Sequence, residues 1–300
     1  MENEISGVLL VNKHKGVTSH DIVFKIRRLF ATKKVGHTGT LDPMATGVLP
    51  VLIERGVKAS EYMLTEDKHY RATLLLGVTT DTEDVSGKIL TTSDEIPDEK
   101  KVLEAIFSMQ GKSMQTPPMY SAIKLGGKKL YELARKGEVV ERESREINVY
   151  GITPEKINDR EYFIDVKCSK GTYIRTLCAD IGAKLGCGAT MKTLERLEAG
   201  GFTIDEAISL EELEKLDENE RNSHVLPVEA IFNNLPRVTL SKFYARLASC
   251  GVEIYLKKIN LSFDIGERVT LFDENGFFAL GEVKDFEDGP AIKPIKQFRI

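Results

Sequence analysis

The stretch Lys34-Val-Gly-His-Thr-Gly-Thr-Leu-Asp-Pro-Met-Ala-Thr-Gly47 holds three glycines, three threonines, one histidine and one aspartate in fourteen residues. With so few groups to bury, it reads as a long loop rather than a helix or strand. Its flanks read as core elements. Upstream, "TSHDIVFKIRRLF" opens like a capping box, with Asp21 three residues after Thr18, and Ile22, Val23, Ile26, Leu29 and Phe30 recur at helical spacing. Downstream, "VLPVLIE" is an apolar run of buried-strand type. A loop anchored by core elements at both ends is where function concentrates.

Asp42 follows a Thr-Gly-Thr turn and precedes Pro43. Proline holds the residue before it extended, so the carboxylate is either presented on a stiff backbone or used as a turn cap. His37 lies five residues earlier. A hydrolytic His–Asp pair would need a nucleophile, and no G-x-S-x-G elbow occurs. The glycines match neither a Walker loop nor a dinucleotide fingerprint. "DTEDVSG" has its glycine one position late for a calcium loop and reads as a polar turn. Cys168, Cys178, Cys187 and Cys250 form no C-x-x-C pair, so they read as buried reduced thiols, and no metal site is expected.

Three hundred residues suit one large domain, or a medium one plus a small one. No apolar run is long enough to span a membrane, and the acidic start does not resemble a secretory signal, so a cytoplasmic protein is expected. The net charge of −4 is unevenly placed, with "KIRRLFATKK" and "KLGGKKLYELARK" basic and "DEAISLEELEKLDENE" acidic. Local basic patches matter more to a phosphate backbone than the total does. "KHYRATLLLGV" and "EYFIDVKCSKG" read as strands, "DEKKVLEAIFSMQG" and "TYIRTLCADIGAKLG" as helices, the second with Arg175 in its first turn, off the apolar stripe. Tyr70 and Tyr173 stand where strands meet turns. "QTPPMYSAIKLGGKKLYELARKGE", with paired prolines and glycines, reads as an excursion from the core. Helices and strands alternate without a βαβ rhythm, which predicts an α+β domain with a mixed sheet. Near the end, Asn275-Gly276 between alternating segments marks a hairpin, and its neighbours read as short strands of a small all-β module. A pre-organised carboxylate, aromatics at element ends and basic excursions suit an enzyme acting on a flipped base of RNA.

These segments resemble the TruB-type tRNA pseudouridine synthases. "GVLLVNKHKGVTSHDIV", "KVGHTGTLDPMATGVLPV", "KHYRATLLLGVTTDTEDVSG", "QTPPMYSAIKLGGKKLYELARKG", "SKGTYIRTLCADIG" and "MKTLERLEAGGFTIDEAISLEEL" follow in the family's order over most of residues 7–215. The resemblance implies a pseudouridine synthase core over residues 1–230 with an inserted thumb at about 112–146, then a PUA-like barrel over 231–300. It implies isomerisation of uridine 55 in the tRNA T loop, without cofactor, by a monomer. It makes Asp42 the nucleophile, with Tyr70 and Arg175 catalytic beside it. His37, Tyr70, Tyr173, Leu194 and Lys13 would contact the substrate. Two departures stand out: His14 follows Lys13 where the family has proline, loosening that turn, and Glu195 replaces a basic residue before Arg196, removing one phosphate contact. The rival readings are a guide-RNA-dependent synthase subunit, a non-catalytic RNA-folding protein and, least supported, a metal-dependent hydrolase.

Overall fold

The computed structural model describes residues 5–63 and 66–299. The strand Gly7–Lys13 (β1) leads into the helix Ser19–Leu29 (α1), where Thr18 and Asp21 form a reciprocal capping box. The chain continues through Val35–His37 (β2), Thr46–Ile53 (β3) and Lys68–Leu76 (β4) to the helix Glu99–Phe107 (α2). Gly111–Gln115 (β5) and Arg145–Lys156 (β6) pair antiparallel and bracket an excursion holding a two-stranded ribbon and the short helix Leu130–Ala134. Glu161–Cys168 (β7), the helix Ile174–Leu185 (α3) and Ala189–Ala199 (β8) complete the larger body.

One mixed sheet runs in the order Ile208–Ser209, β1, β3, β8, β4, β7, β6, β5. Most neighbours are antiparallel, but β3 and β8 run parallel. The apolar face of α1 (Ile22, Val23, Ile26) joins the inward residues of β1, β3, β4 and β7 and those of α2 and α3 in one core. β4 and β8 therefore lie at the centre of the sheet, so residues on them sit on the stiffest part of the molecule.

The final segment builds a five-stranded sheet in the order Arg237–Thr239, Arg268–Asp273, Gly276–Lys284, Ala291–Gln297, Ile254–Tyr255. It curls into a half-barrel of PUA-like type around its own core. Asp273 and Gly276 face each other across the hairpin that Asn275-Gly276 announces. The half-barrel meets the larger body through an aromatic cluster of Phe232, Phe272, Phe277 and Phe298 packed on Ala59, flanked by the ion pair Lys296–Glu61 at 2.7 Å.

Two local expectations change. Cys168, Cys178 and Cys187 are buried thiols, but Cys250 is exposed, because the helix Lys242–Ser249 ends there at the surface. "DTEDVSG" is more than a polar turn: Asp84 is buried, accepting from the Ser86 amide at 2.9 Å and from the Thr82 hydroxyl at 2.9 Å. The acidic segment is two short helices, Leu210–Lys215 and Glu218–Ser223, each with its own capping box.

The loop rejoins the sheet at Gly47, whose φ is +105° and whose register partner on β8 is Arg196. A Cβ there would lie 2.2 Å from the Arg196 carbonyl oxygen and 2.5 Å from its nitrogen. No flexible side-chain end can yield, since both atoms are backbone. Gly47→Ala is expected to cost roughly 2–4 kcal/mol, from overpacking plus a left-handed alanine. Urea unfolding followed by circular dichroism measures this, and an unchanged midpoint would refute the close approach.

Candidate active site

Backbone hydrogen bonds alone could not hold a glycine-rich loop of this length in place. Three polar side chains from three other elements do so. The Ser19 hydroxyl, at the start of α1, accepts from the Leu41 amide at 2.9 Å and donates to its carbonyl at 3.1 Å. Lys13, at the end of β1, is fully buried and directs its ammonium at the carbonyls of Ala45 (2.6 Å), Val17 (2.9 Å), His14 (3.1 Å) and Pro43 (3.4 Å). Arg196, buried on β8, donates from Nε to the Val48 carbonyl (2.8 Å) and from both terminal nitrogens to the Gly39 carbonyl (3.2 and 3.3 Å). The Gly16 amide adds a bond to the Pro43 carbonyl at 2.7 Å. Leu41, Ala45 and Thr38 are buried beneath, so the loop packs better than its composition suggests.

Asp42 sits at the crest, about one third exposed. Arg175 Nε approaches its Oδ2 at 2.9 Å. The guanidinium is itself buried and held on its other edges, by the Thr82 carbonyl (3.0 Å) and by the Tyr120 carbonyl (2.7 Å) at the root of the excursion. Asp84 Oδ2 lies 3.8 Å from Arg175 Nη1. Burial pushes the Asp42 carboxyl above the usual aspartate range; Arg175 opposes that shift, the Asp84 charge adds to it and Lys13 opposes it. Asp42 is thus an ion-paired carboxylate held at raised basicity, which suits a group that must react rather than only bind.

Tyr70 on β4 stands opposite Arg196 of β8, half-buried, its phenol pushed up by burial. Leu194 lies two residues before Arg196 on the same face of β8 and packs in the core. Tyr173 precedes α3; its amide donates to Gln115 Oε1 at 2.8 Å and its carbonyl accepts from Gln115 Nε2 at 3.1 Å, tying it to β5. His37 ends β2, with Nδ1 buried and without a hydrogen-bond partner, and burial, then Arg196, push its pKa down. A neutral imidazole with an unused nitrogen results. The structure therefore brings Asp42, Arg175 and the supports of the loop into direct contact. Tyr70, Leu194, Tyr173 and His37 are carried by the elements around them.

Lys13 is more enclosed than a substrate contact would suggest: its ammonium faces four backbone carbonyls beneath Asp42, and burial lowers its pKa to about 8. His14 does not unseat it; the imidazole instead reaches Glu211 at 3.4 Å. Glu195 is a register partner of Arg71 and Thr46, on the opposite face from Arg196. Sequence reasoning missed Arg196, Ser19 and Asp84 as supports. For Arg196 a signal existed, because strand periodicity puts it on the inward face with Leu194. Among the described residues, no three His, Cys, Asp or Glu side chains converge as metal ligands.

The TruB family pseudouridylate synthase N-terminal domain matches residues 27–174, and the tRNA pseudouridylate synthase B C-terminal domain matches residues 175–233. A tRNA pseudouridine synthase B of Clostridium tetani is 43% identical over 281 residues, covering 93% of this chain and 96% of its own. Its counterpart in Alkaliphilus oremlandii is 42% identical over 283 residues, covering 94% of each. Among solved structures, a chain of a Cbf5–Nop10–Gar1 complex superposes with a TM-score of 0.74 at 25% identity, over 99% of this chain and 85% of that one. The chain belongs to the TruB family of pseudouridylate synthases.

Proposed function

We propose that this enzyme isomerises uridine 55 in the T loop of tRNA to pseudouridine, acting as a cytoplasmic monomer without cofactor. The observation that carries this reading is Asp42 paired with Arg175 on a loop immobilised by Ser19, Lys13 and Arg196. Relatives named for tRNA pseudouridine synthesis along nearly the whole chain support tRNA as substrate over a guide-RNA-directed role. Among the described residues, no helix is long and apolar enough to cross a membrane.

The reaction breaks the uracil N1–C1′ bond and forms C5–C1′; C5 loses a proton and N1 gains one, so no redox partner is needed. The ionised Asp42 has two routes to this end. It can add to uracil C6, or act at the sugar by attack on C1′ or removal of a neighbouring proton. Either uses a carboxylate as covalent or basic catalyst, and either gains from a group already in place. The base must leave its loop at a cost of a few kcal/mol, and stacking on Tyr70 recovers roughly 1–3 kcal/mol. His37, neutral, offers a ring toward the space the base vacates, and Tyr173 and Leu194 wall the pocket. The excursion between β5 and β6 closes over the T arm as a thumb.

Asp42→Asn should fold and bind a T-arm transcript yet release no tritium from 5-tritiated uridine; normal turnover by this variant would remove Asp42 from the chemistry. Tyr70→Leu should lower turnover about 10- to 100-fold with little loss of RNA affinity, as loss of one stacking contact predicts, and unchanged kinetics would end its stacking role. The pH profile tests the electrostatics. Because the Asp42 pKa is raised, kcat/KM should fall as pH drops through a value above the ordinary aspartate range. Asp84→Asn removes a charge that raises that pKa, so the acid limb should move to lower pH. A limb that moved upward would contradict the assignment.

A further inference from the structure

Beside the proposed pocket lies a groove of about 550 Å³ whose residues the mechanism leaves unused. It runs along β5, β6 and the Ser169–Gly171 turn that precedes α3. Three cations face it (Lys112, Arg145 and Lys170) against one carboxylate, Glu146, which pairs with Lys112 at 3.2 Å at the exposed rim and leaves Arg145 and Lys170 in excess. In a chain of net charge −4, that local excess of positive charge is itself distinctive.

The groove is built, not incidental. Arg145 lies over the Tyr173 ring, 4.9 Å from its centroid, and donates to the Gly171 carbonyl. Its Nε is buried without a hydrogen-bond partner among the described residues, so this guanidinium is positioned but not fully satisfied. Gly171, at φ +80°, makes the arrangement possible, since a Cβ there would come within 3.2 Å of the Arg145 guanidinium carbon. The turn is stitched to β6 by two bonds of 2.8 Å between Ser169 and the Asn148 backbone. Lys170 then projects from this fixed turn into solvent. The register of β6 against β7 slips between Val149 and Gly151, leaving Tyr150 as the residue without a partner. A bulge of this kind re-aims a side chain. Tyr150 is turned outward, 48% exposed, with its hydroxyl donating to Asp67 Oδ1 at 3.1 Å. An exposed aromatic tethered through its hydroxyl and lining a cationic groove is the pattern of a stacking platform for single-stranded nucleic acid.

We propose that this groove holds the sugar–phosphate backbone of the substrate RNA next to the flipped nucleotide, with phosphates on Lys112 and Lys170 and one unpaired base on the Tyr150 ring. The continuity through Arg145 and Tyr173 sets the groove beside the proposed pocket. The same continuity makes it a route for strand leaving the pocket. This rests on the reading of the chain as a tRNA pseudouridine synthase.

The test compares wild type with Lys112→Ala, Lys170→Ala and Tyr150→Ala on a T-arm transcript. Wild-type tritium release comes first; if it is absent, the functional reading fails and the groove's RNA role falls with it. With wild-type release established, each lysine variant should keep kcat at saturating RNA and raise KM several-fold. The slope of log Kd against log salt should also flatten by about one unit per lost phosphate contact. Tyr150→Ala should weaken binding about ten-fold, and Tyr150→Phe, which keeps the ring, should not. Neutral methylphosphonates at the phosphates flanking the target uridine should weaken wild type, and one of them should have no further effect on Lys170→Ala. That non-additivity is a readout a misfolded variant cannot mimic. Unchanged salt slopes and Kd in active lysine variants, as a groove serving an acidic protein partner would give, overturn the proposal while leaving the enzyme's function intact.

Discussion

Everything at the candidate site depends on two buried cations that face backbone carbonyls. Among the described residues, Lys13 and Arg196 have no carboxylate at hydrogen-bond distance; their partners are the carbonyls of the loop and its exits. Burying a charge is costly unless its donors are satisfied, and burying carbonyls without donors is costly in turn. Each side thus removes the penalty of the other. The loop cannot relax without orphaning two charges, and the charges cannot be accommodated without this loop. Glycine and threonine are enough to make it rigid because the rigidity is supplied from β1, α1 and β8.

That support explains how a carboxylate can be raised in pKa and ion-paired at once. In solution a guanidinium 2.9 Å away would draw an aspartate toward stronger acidity. Here desolvation is the largest influence and the net direction is upward. A freely moving Asp42 would swing into water and lose the shift. The held loop denies it that path, so the raised basicity is stored in the backbone hydrogen bonds beneath. Arg175 extends the same network outward. One guanidinium touches Asp42, the Thr82 carbonyl and the Tyr120 carbonyl, so the root of the excursion and the Asp42 carboxylate share a single cation.

Much of this was legible in the sequence, unevenly. Periodicity and caps found α1, β3 and the Asn275-Gly276 hairpin, because those signals are local. The middle of the loop was visible as a loop, whereas Val35–His37 at its start pairs as a strand with β3; the ordered motifs singled out Asp42 and Arg175. What the sequence concealed was where side chains are used up. Lys13 looks like a substrate contact on paper, since nothing in its neighbours says that four carbonyls will surround it. Asp84 looks like a turn residue because its other task, beside Arg175, comes from a helix some ninety residues further on. Both are long-range facts, set by the sheet order rather than by any local pattern.

The same distinction governs how charge should be read in an RNA-binding protein. Basic runs suggest phosphate contacts, yet Arg27 of "KIRRLFATKK" spends a terminal nitrogen on the Val35 carbonyl, and Lys34 pairs with Glu54 at 3.1 Å. Lys13, Arg175 and Arg196 are buried altogether. A cation already bonded to carbonyl oxygens stabilises the fold and exerts little pull on a distant polyanion through screening solvent. Lys124 and Lys128 of the excursion's ribbon and Lys170 of the groove beside Tyr173 are different: they are exposed at the surface. A mildly acidic chain can therefore present a cationic face, because its buried cations organise the Asp42 loop while its exposed cations gather beside it.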